Sequence, residues 1–240
     1  MSTGRVFKDI LCYPFTDFKK FLKVFLMYLG CFLIIPVLMA MGYSLRIIKS
    51  TILGFDNMPD LDDSGNLIED GLKLVGANII YNIPLYAVIG ILVVIAASGQ
   101  PNLVLTSYYF LAIIAIVGYL ISIVSIPAVA NMAYEDRFGA VFDFKRIFTV
   151  IKNMGWAKYL IYLLIYTLIV EILTLTISSI SPYLKLSLGT ISGLAVYLLL
   201  YLLINSYLII IGGRFRGIIY SKGMGDNWHT NDIAEQDNPE

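Results

Sequence analysis

Five long apolar runs constrain this chain more than any other feature of it. They cover about 24–43, 78–98, 103–130, 159–180 and 187–211, and each approaches or exceeds the roughly 20 residues an α-helix needs to cross a bilayer. In hydrocarbon every backbone polar group must be satisfied inside its own segment, so such runs become helices. Strands of a barrel would be shorter and would alternate in polarity, which these do not. A water-soluble reading fails on supply, because 58% of the 240 residues are hydrophobic and only 14% are charged, against about 25% charged in soluble domains. The expected fold class is all-α, a polytopic transmembrane helical bundle.

Basic residues orient it. The short links at 99–102 and 181–186 hold one lysine, Lys185, while the other sixteen of the 17 basic residues fall in 1–23, 44–77, 131–158 and 212–240. The positive-inside rule places those four segments and both termini in the cytoplasm. Four runs then form full spans in two hairpins. The first run has basic flanks on both sides, Lys19, Lys20 and Lys23 before it and Arg46 and Lys49 after it. A re-entrant hairpin that turns near Gly30 to Pro36, rather than a fifth full crossing, keeps both flanks inside. Tyrosines near the run ends, at Tyr81, Tyr108, Tyr109, Tyr159, Tyr162 and Tyr183, are expected at the headgroup level.

Two motifs recur. Ile35-Pro36 through Met41, Tyr43 and Arg46 aligns without gaps on Ile126-Pro127 through Met132, Tyr134 and Arg137, and Gly212-Gly213-Arg214-Phe215-Arg216 is a fainter third copy. Asp17-Phe-Lys-Lys20 and Asp143-Phe-Lys-Arg146 each open an apolar stripe, Phe18, Phe21, Leu22, Phe25 and Phe144, Ile147, Phe148, Ile151. That is the i, i+3, i+4, i+7 pattern of an amphipathic helix lying in the cytoplasmic interface. A third stripe, Ile68, Gly71, Leu72, Val75, precedes the second run. The chain thus reads as one helical membrane domain over 1–222, with pseudo-repeat units at about 17–50, 67–137 and 143–217. A polar tail, 223–240, is expected to be disordered.

Chemistry-bearing residues are sparse. Glu171 is the one ionisable residue deep in a run, where a carboxyl costs a few kcal/mol unless protonated, paired or wetted. It is a candidate intramembrane polar site with Thr174 and Asn205, and the plainer reading is a hydrogen bond that packs helices. Arg46, Arg137, Arg214 and Arg216 close apolar segments and are expected to anchor the cytoplasmic side against lipid phosphates. Pro36, Pro84 and Pro127 inside runs predict kinks. Asp60, Asp62 and Ser64, followed by Gly65, look like the opening of a calcium loop, but Gly71 stands where the closing glutamate belongs. The plainer reading is a turn with Asn66 as helix N-cap and Glu69 three residues on. His229 is alone, Cys12 and Cys31 have no partner motif, and no nucleophile–base set is available, so neither enzyme activity nor a cofactor or metal is expected. Zero net charge gives no field for nucleic acid.

The sequence resembles the prokaryotic membrane-protein family of unknown function numbered 4013. The residues that carry the likeness are Tyr13-Pro-Phe-Thr-Asp17, Ile35-Pro36 with Gly42-Tyr43-Ser-Leu-Arg46, and Met58-Pro59-Asp-Leu-Asp62-Asp63. They continue through Asp70-Gly-Leu-Lys73, Ile80-Tyr-Asn-Ile-Pro84, Arg137-Phe-Gly-Ala-Val-Phe-Asp143-Phe144 and Trp156-Ala-Lys-Tyr-Leu160. Leu61 stands where similar sequences carry an aromatic residue. The resemblance implies a multi-pass membrane protein and supplies no activity. The expected role is a non-enzymatic scaffold, accessory subunit or envelope factor of the cell membrane, partnered by lipid and by another protein or a second copy. The alternative is a small-solute or cation transporter or channel working through Glu171 within the membrane.

Overall fold

A computed structural model describes residues 3–30, 32–98 and 103–225. Every regular element in them is helical. In chain order they are α1 (Thr3–Cys12), α2 (Phe18–Leu29), α3 (Ile34–Ile52), α4 (Ser64–Ala97), α5 (Leu103–Glu135), α6 (Phe144–Met154), α7 (Trp156–Leu188) and α8 (Thr190–Met224), with short 3-10 turns at Tyr13–Phe15 and Phe138–Phe142.

Four helices, α4, α5, α7 and α8, are long and apolar enough to cross a membrane. At 1.5 Å per residue the 34 residues of α4 reach about 51 Å, well past a hydrocarbon core of about 30 Å. The surplus lies at one end, here called the base. Buried side chains cluster there on α1, the last turns of α3, α5 and α8, and α6. In the most apolar stretch of the four long helices, no more than 17% of the residues are buried within the protein. A soluble protein could not leave such stretches bare, and lipid is the solvent that covers them.

The first apolar run is not one helix. It breaks after Gly30, and the 12-residue α2 and 19-residue α3 are joined by a turn in which Leu33 N–H donates to Gly30 O. Phe32 at this turn is 94% exposed, and Leu33, Ile34 and Ile35 are exposed beside it. Pro36 falls in the first turn of α3, where no intrahelical hydrogen bond is lost, so it opens a helix instead of kinking one.

Helix starts follow the sequence closely at two places. Asp17 accepts from Lys20 N–H and Asp143 from Arg146 N–H, each at 3.1 Å, so the paired motifs form the same N-cap. The third differs. Asp63, not Asn66, caps α4, accepting from Asn66 N–H, while Glu69 pairs with Lys73 one turn on at 2.9 Å. The stripe expected at Ile68, Gly71, Leu72 and Val75 is shifted. Leu67, Gly71, Leu74 and Ala77 are buried, because α4 continues unbroken from the base and turns its small face to α3.

The link expected at 181–186 is helical. Leu188 ends α7, Thr190 begins α8, and the reversal is made by Gly189 alone at φ +84°, a conformation glycine enters without strain. Gly155 at φ +91° makes the α6–α7 corner in the same way. The aligned Arg-ended runs also finish differently. Arg46 lies six residues inside α3, whereas Arg137 stands beyond the end of α5.

Glycine sets the helix spacing at the base. A Cβ placed on Gly42 would fall 2.8 Å from the Leu67 carbonyl carbon, and one on Gly71 would fall 2.7 Å from that of Leu38. So α3 and α4 touch backbone to backbone, as small residues permit in membrane bundles. Gly213 and Gly217 of α8 lie equally close to Ser44, Ile47, Ile48 and Thr51 of α3. α3 is therefore wedged between α4 and α8. Tyr159 and Tyr162 are fully buried here instead of standing at a headgroup layer. Tyr159 OH donates to Ile123 O of α5 at 2.7 Å and Tyr119 OH to Leu160 O of α7 at 3.2 Å, while Tyr108, Tyr109 and Tyr183 are exposed.

Candidate functional site

The polar chemistry of the described residues collects at the base in two places. One is built around Arg214. Gly213 lets α8 press on α3, which carries the next side chain inward, and Arg214 is only 5% exposed. Its Nε donates to Asp9 of α1 at 3.0 Å, one terminal nitrogen to Asp56 at 2.9 Å, and the other to Phe55 O at 2.8 Å. Its guanidinium also lies over the Tyr13 ring, 4.6 Å from the centroid. The planar fork suits this arrangement, which a lysine could not satisfy. Burial pushes the Tyr13 phenol up to about 12, against the opposing pull of Arg214. Arg214 is thus not available to lipid phosphate. It ties α1 and the loop after α3 to α8.

The second place is a cavity of about 490 Å³ between α3, α4 and α5, lined by Arg46, Lys49, Glu69, Asp70, Lys73 and Asp136 among others. Lys49 pairs with Asp136 at 3.0 Å, and Lys73 bridges Glu69, Asp70 and Asp136 at 2.9, 3.5 and 3.9 Å. The Lys49 ammonium hydrogen-bonded to Asp136 holds that carboxyl below the usual carboxylate range. Lys49 and Lys73 each face opposite charges, and the arrangement latches three helices.

Arg46 is spent on the loop before α4. It donates to the backbone carbonyls of Asp60, Asp62 and Asp63. The Asp60 carboxylate takes Lys20 at 2.8 Å, and that hydrogen bond holds it below its ordinary range. The Asp60 carboxylate proposed for calcium is therefore taken by a cation of the protein itself, and Arg46 binds the Asp62 backbone carbonyl. Ser64 is the first residue of α4. Among the described residues no three His, Cys, Asp or Glu side chains converge as metal ligands. Arg137 is exposed at the end of the α5 turn, and Arg216 is half-buried with its Nε unpartnered.

The residues expected to gather around Glu171 do not gather. Glu171 is exposed on α7. Thr174 Oγ1 donates to Val170 O and Asn205 Nδ2 to Tyr201 O, each 2.8 Å away on its own helix. Glu171 lines neither the cavity between α3, α4 and α5 nor the apolar groove of about 710 Å³ that α2 forms with α7 and α8.

Asp9, Asp56 and Tyr13 carry the Arg214 site; sequence singled out Tyr13 only within a family motif, and Asp9 and Asp56 not at all. The signal for Asp9 was the amphipathic spacing of Val6, Phe7 and Ile10, which are buried on α1. Tyr220 OH donates to Asn131 Oδ1 at 2.5 Å, and Asn131 donates to Ala140 O at 2.7 Å, a buried polar pair between α8 and α5. An asparagine directly after the end of the third apolar run was its only mark. His229 and the tail from 226 on, Cys31, and the link at 99–102 lie outside the described residues.

The pattern of the family described as "Protein of unknown function (DUF4013)" matches residues 25–182. Two proteins of Methanocaldococcus jannaschii are similar along much of their length. Uncharacterized protein MJ0233 is 28% identical over 214 residues, covering 85% of this chain and 71% of the relative. Uncharacterized protein MJ1189 is 30% identical over 158 residues, covering 63% of this chain and 52% of the relative. No solved structure matches.

Proposed function

We infer that this chain, which belongs to the DUF4013 family of proteins of unknown function, is a non-enzymatic scaffold or accessory subunit of the cell membrane. Both termini stand on the cytoplasmic side, and α2 with α3 forms a hairpin that dips into the membrane and returns. One observation carries the reading. Most of the charged and buried polar groups described at the base are bound to one another, so they hold helices in place. The four long helices meanwhile offer bare apolar sides to whatever surrounds them. Orientation is supported by the meeting of the basic flanks at the base, on the positive-inside rule. The exposed apolar turn at Phe32 to Ile35 supports the dipping hairpin, since a 12-residue α2 spans only about 18 Å.

A transporter working through Glu171 requires a polar cavity that reaches the residue. Glu171 stands instead on the outer surface of α7, which gives that mechanism no support. The test is affinity purification of the full chain in mild detergent. A stoichiometric protein partner or self-oligomer is expected. A clean lone monomer that also passes cations in reconstituted vesicles would overturn the scaffold reading.

A further inference from the structure

We propose that the outer face of α7 is a dimer seam, on which Glu171 of two copies of this chain meet and hydrogen-bond within the membrane; this deepens the scaffold reading and rests on it. Glu171 lies fifteen residues after Trp156 and seventeen before Leu188, about 22 Å along the helix and near mid-span. It is exposed, and no described residue bonds it. A short side chain at that depth cannot snorkel to the interface, and hydrocarbon supplies no partner. The partner must therefore be protein.

The face around Glu171 tells what kind. Thr167, Thr174 and Ser178 stand at i−4, i+3 and i+7, on the same side of the helix. Their hydroxyl protons are already used on their own backbone. Thr167 donates to Leu163 O, Thr174 to Val170 O and Ser178 to Thr174 O, at 2.9, 2.8 and 2.9 Å. What they turn outward is acceptor oxygen. A carboxyl group adds acceptors and, in its protonated form, one O–H donor. Exposed Leu164, Leu168 and Leu175 complete a stripe in which Leu164, Glu171 and Ser178 recur every seven residues, the period of a left-handed helix pair. The opposite side of α7 is occupied, with Tyr159, Tyr162, Leu163 and Ile177 buried.

A second copy fits this face without any residue the chain lacks. Two copies share one orientation in a membrane, so a twofold axis along the membrane normal sets their α7 helices parallel and brings each seam residue to its own counterpart. Carboxyl against carboxyl is self-complementary in donors and acceptors, and the neighbouring threonine oxygens accept what remains.

The test uses the full chain, labelled separately with donor and acceptor dyes and reconstituted together in phosphatidylcholine vesicles over a dilution series. Energy transfer should report a dimer whose dissociation constant rises about tenfold in Glu171→Leu. Glu171→Gln, whose amide both donates and accepts, should stay within about threefold of wild type. Independently of stability, Leu164→Cys and Ser178→Cys, each with Cys12→Ser and Cys31→Ser, should oxidise to disulfide-linked dimers. Leu173→Cys, on the groove side, should not. A dimer that Glu171→Leu leaves intact, or cross-linking only at Leu173→Cys, overturns the seam while sparing the scaffold reading. A wild-type monomer that copurifies with a different protein overturns the second copy alone, and a monomer with no partner overturns both.

Discussion

Gly71→Ala tests whether the backbone contact of α3 and α4 holds the base together. The added methyl would meet the Leu38 carbonyl carbon at 2.7 Å and its Cα at 3.1 Å, against an optimum of about 3.5–4.0 Å for carbon pairs. These are backbone atoms of a helix, so no rotamer change relieves the contact. The two helices must part by roughly 1 Å, a gap that forfeits a quarter to a half of each dispersion contact across the crossing. Overpacking of this kind costs about 3 kcal/mol at the rigid end of its range. The substitution also gains about 1 kcal/mol in helix propensity, leaving a net loss of about 2 kcal/mol. Gly90→Ala is the control, because nothing lies within 4 Å of its added methyl and only the propensity gain of up to about 1 kcal/mol applies. The two variants should therefore differ by about 3 kcal/mol when unfolded by SDS in mixed micelles and followed by helical circular dichroism. Equal midpoints for Gly71→Ala and Gly90→Ala would refute the close crossing.

Arg214→Met should loosen α1. Its partners Asp9 and Asp56 are 46% and 91% exposed, so water takes them back and the loss is about 2 kcal/mol, below the range for a fully buried pair. Faster trypsin cleavage after Arg5 and Lys8 should report it, and an unchanged rate would count against the Arg214 tie. Asp136 has a depressed folded value, so its contribution is whole above the ordinary carboxyl range and fades as pH falls through the folded value. Asp136→Asn should then lower the unfolding midpoint at pH 7, by an amount that shrinks as the pH is taken below the reference carboxyl value of about 3.9. A gap that persists in acid would exclude the ion pair as its source. Topology reporters inserted after Gly54 and after Gly99 should lie on opposite sides, the former cytoplasmic; a common side would defeat the assigned orientation.

The spans were legible because hydrocarbon leaves a chain little choice, and four of the five apolar runs fall almost wholly on the four long helices. The break at Gly30 was legible through charge, since basic flanks on both sides of one run forbid an easy crossing. The helices that begin after Asp17 and Asp143 were legible because the paired motifs open an amphipathic stripe, and the caps found there are local bonds. What the sequence hid were features fixed by distant contacts. Arg214 reads as one more basic residue closing an apolar run, and only Asp9, 205 positions away, reveals that it turns inward. Asn66 and Asp63 are both good caps, and the choice falls on Asp63 because Arg46 fixes that loop through its carbonyls. Tyr159 and Tyr162 sit where an interfacial belt belongs, but the base of α5 and α8 closes over them.

The unequal burial along the long helices follows from the solvent each part meets. At the base water drives apolar side chains together, and there the packed core, the glycine crossings and the ion pairs are found. Above it lipid tails are as apolar as leucine, so helices gain nothing from hiding such residues from their surroundings. Their bare sides are therefore no sign of weak folding. It follows that substitutions at Gly71, Arg214 or Asp136 should act on stability, whereas substitutions on the outer face of α7 should act on association and leave the fold unchanged. Glu171 belongs to the second class by position, since a group that touches no other part of its own chain can change that chain's stability only through what it meets outside.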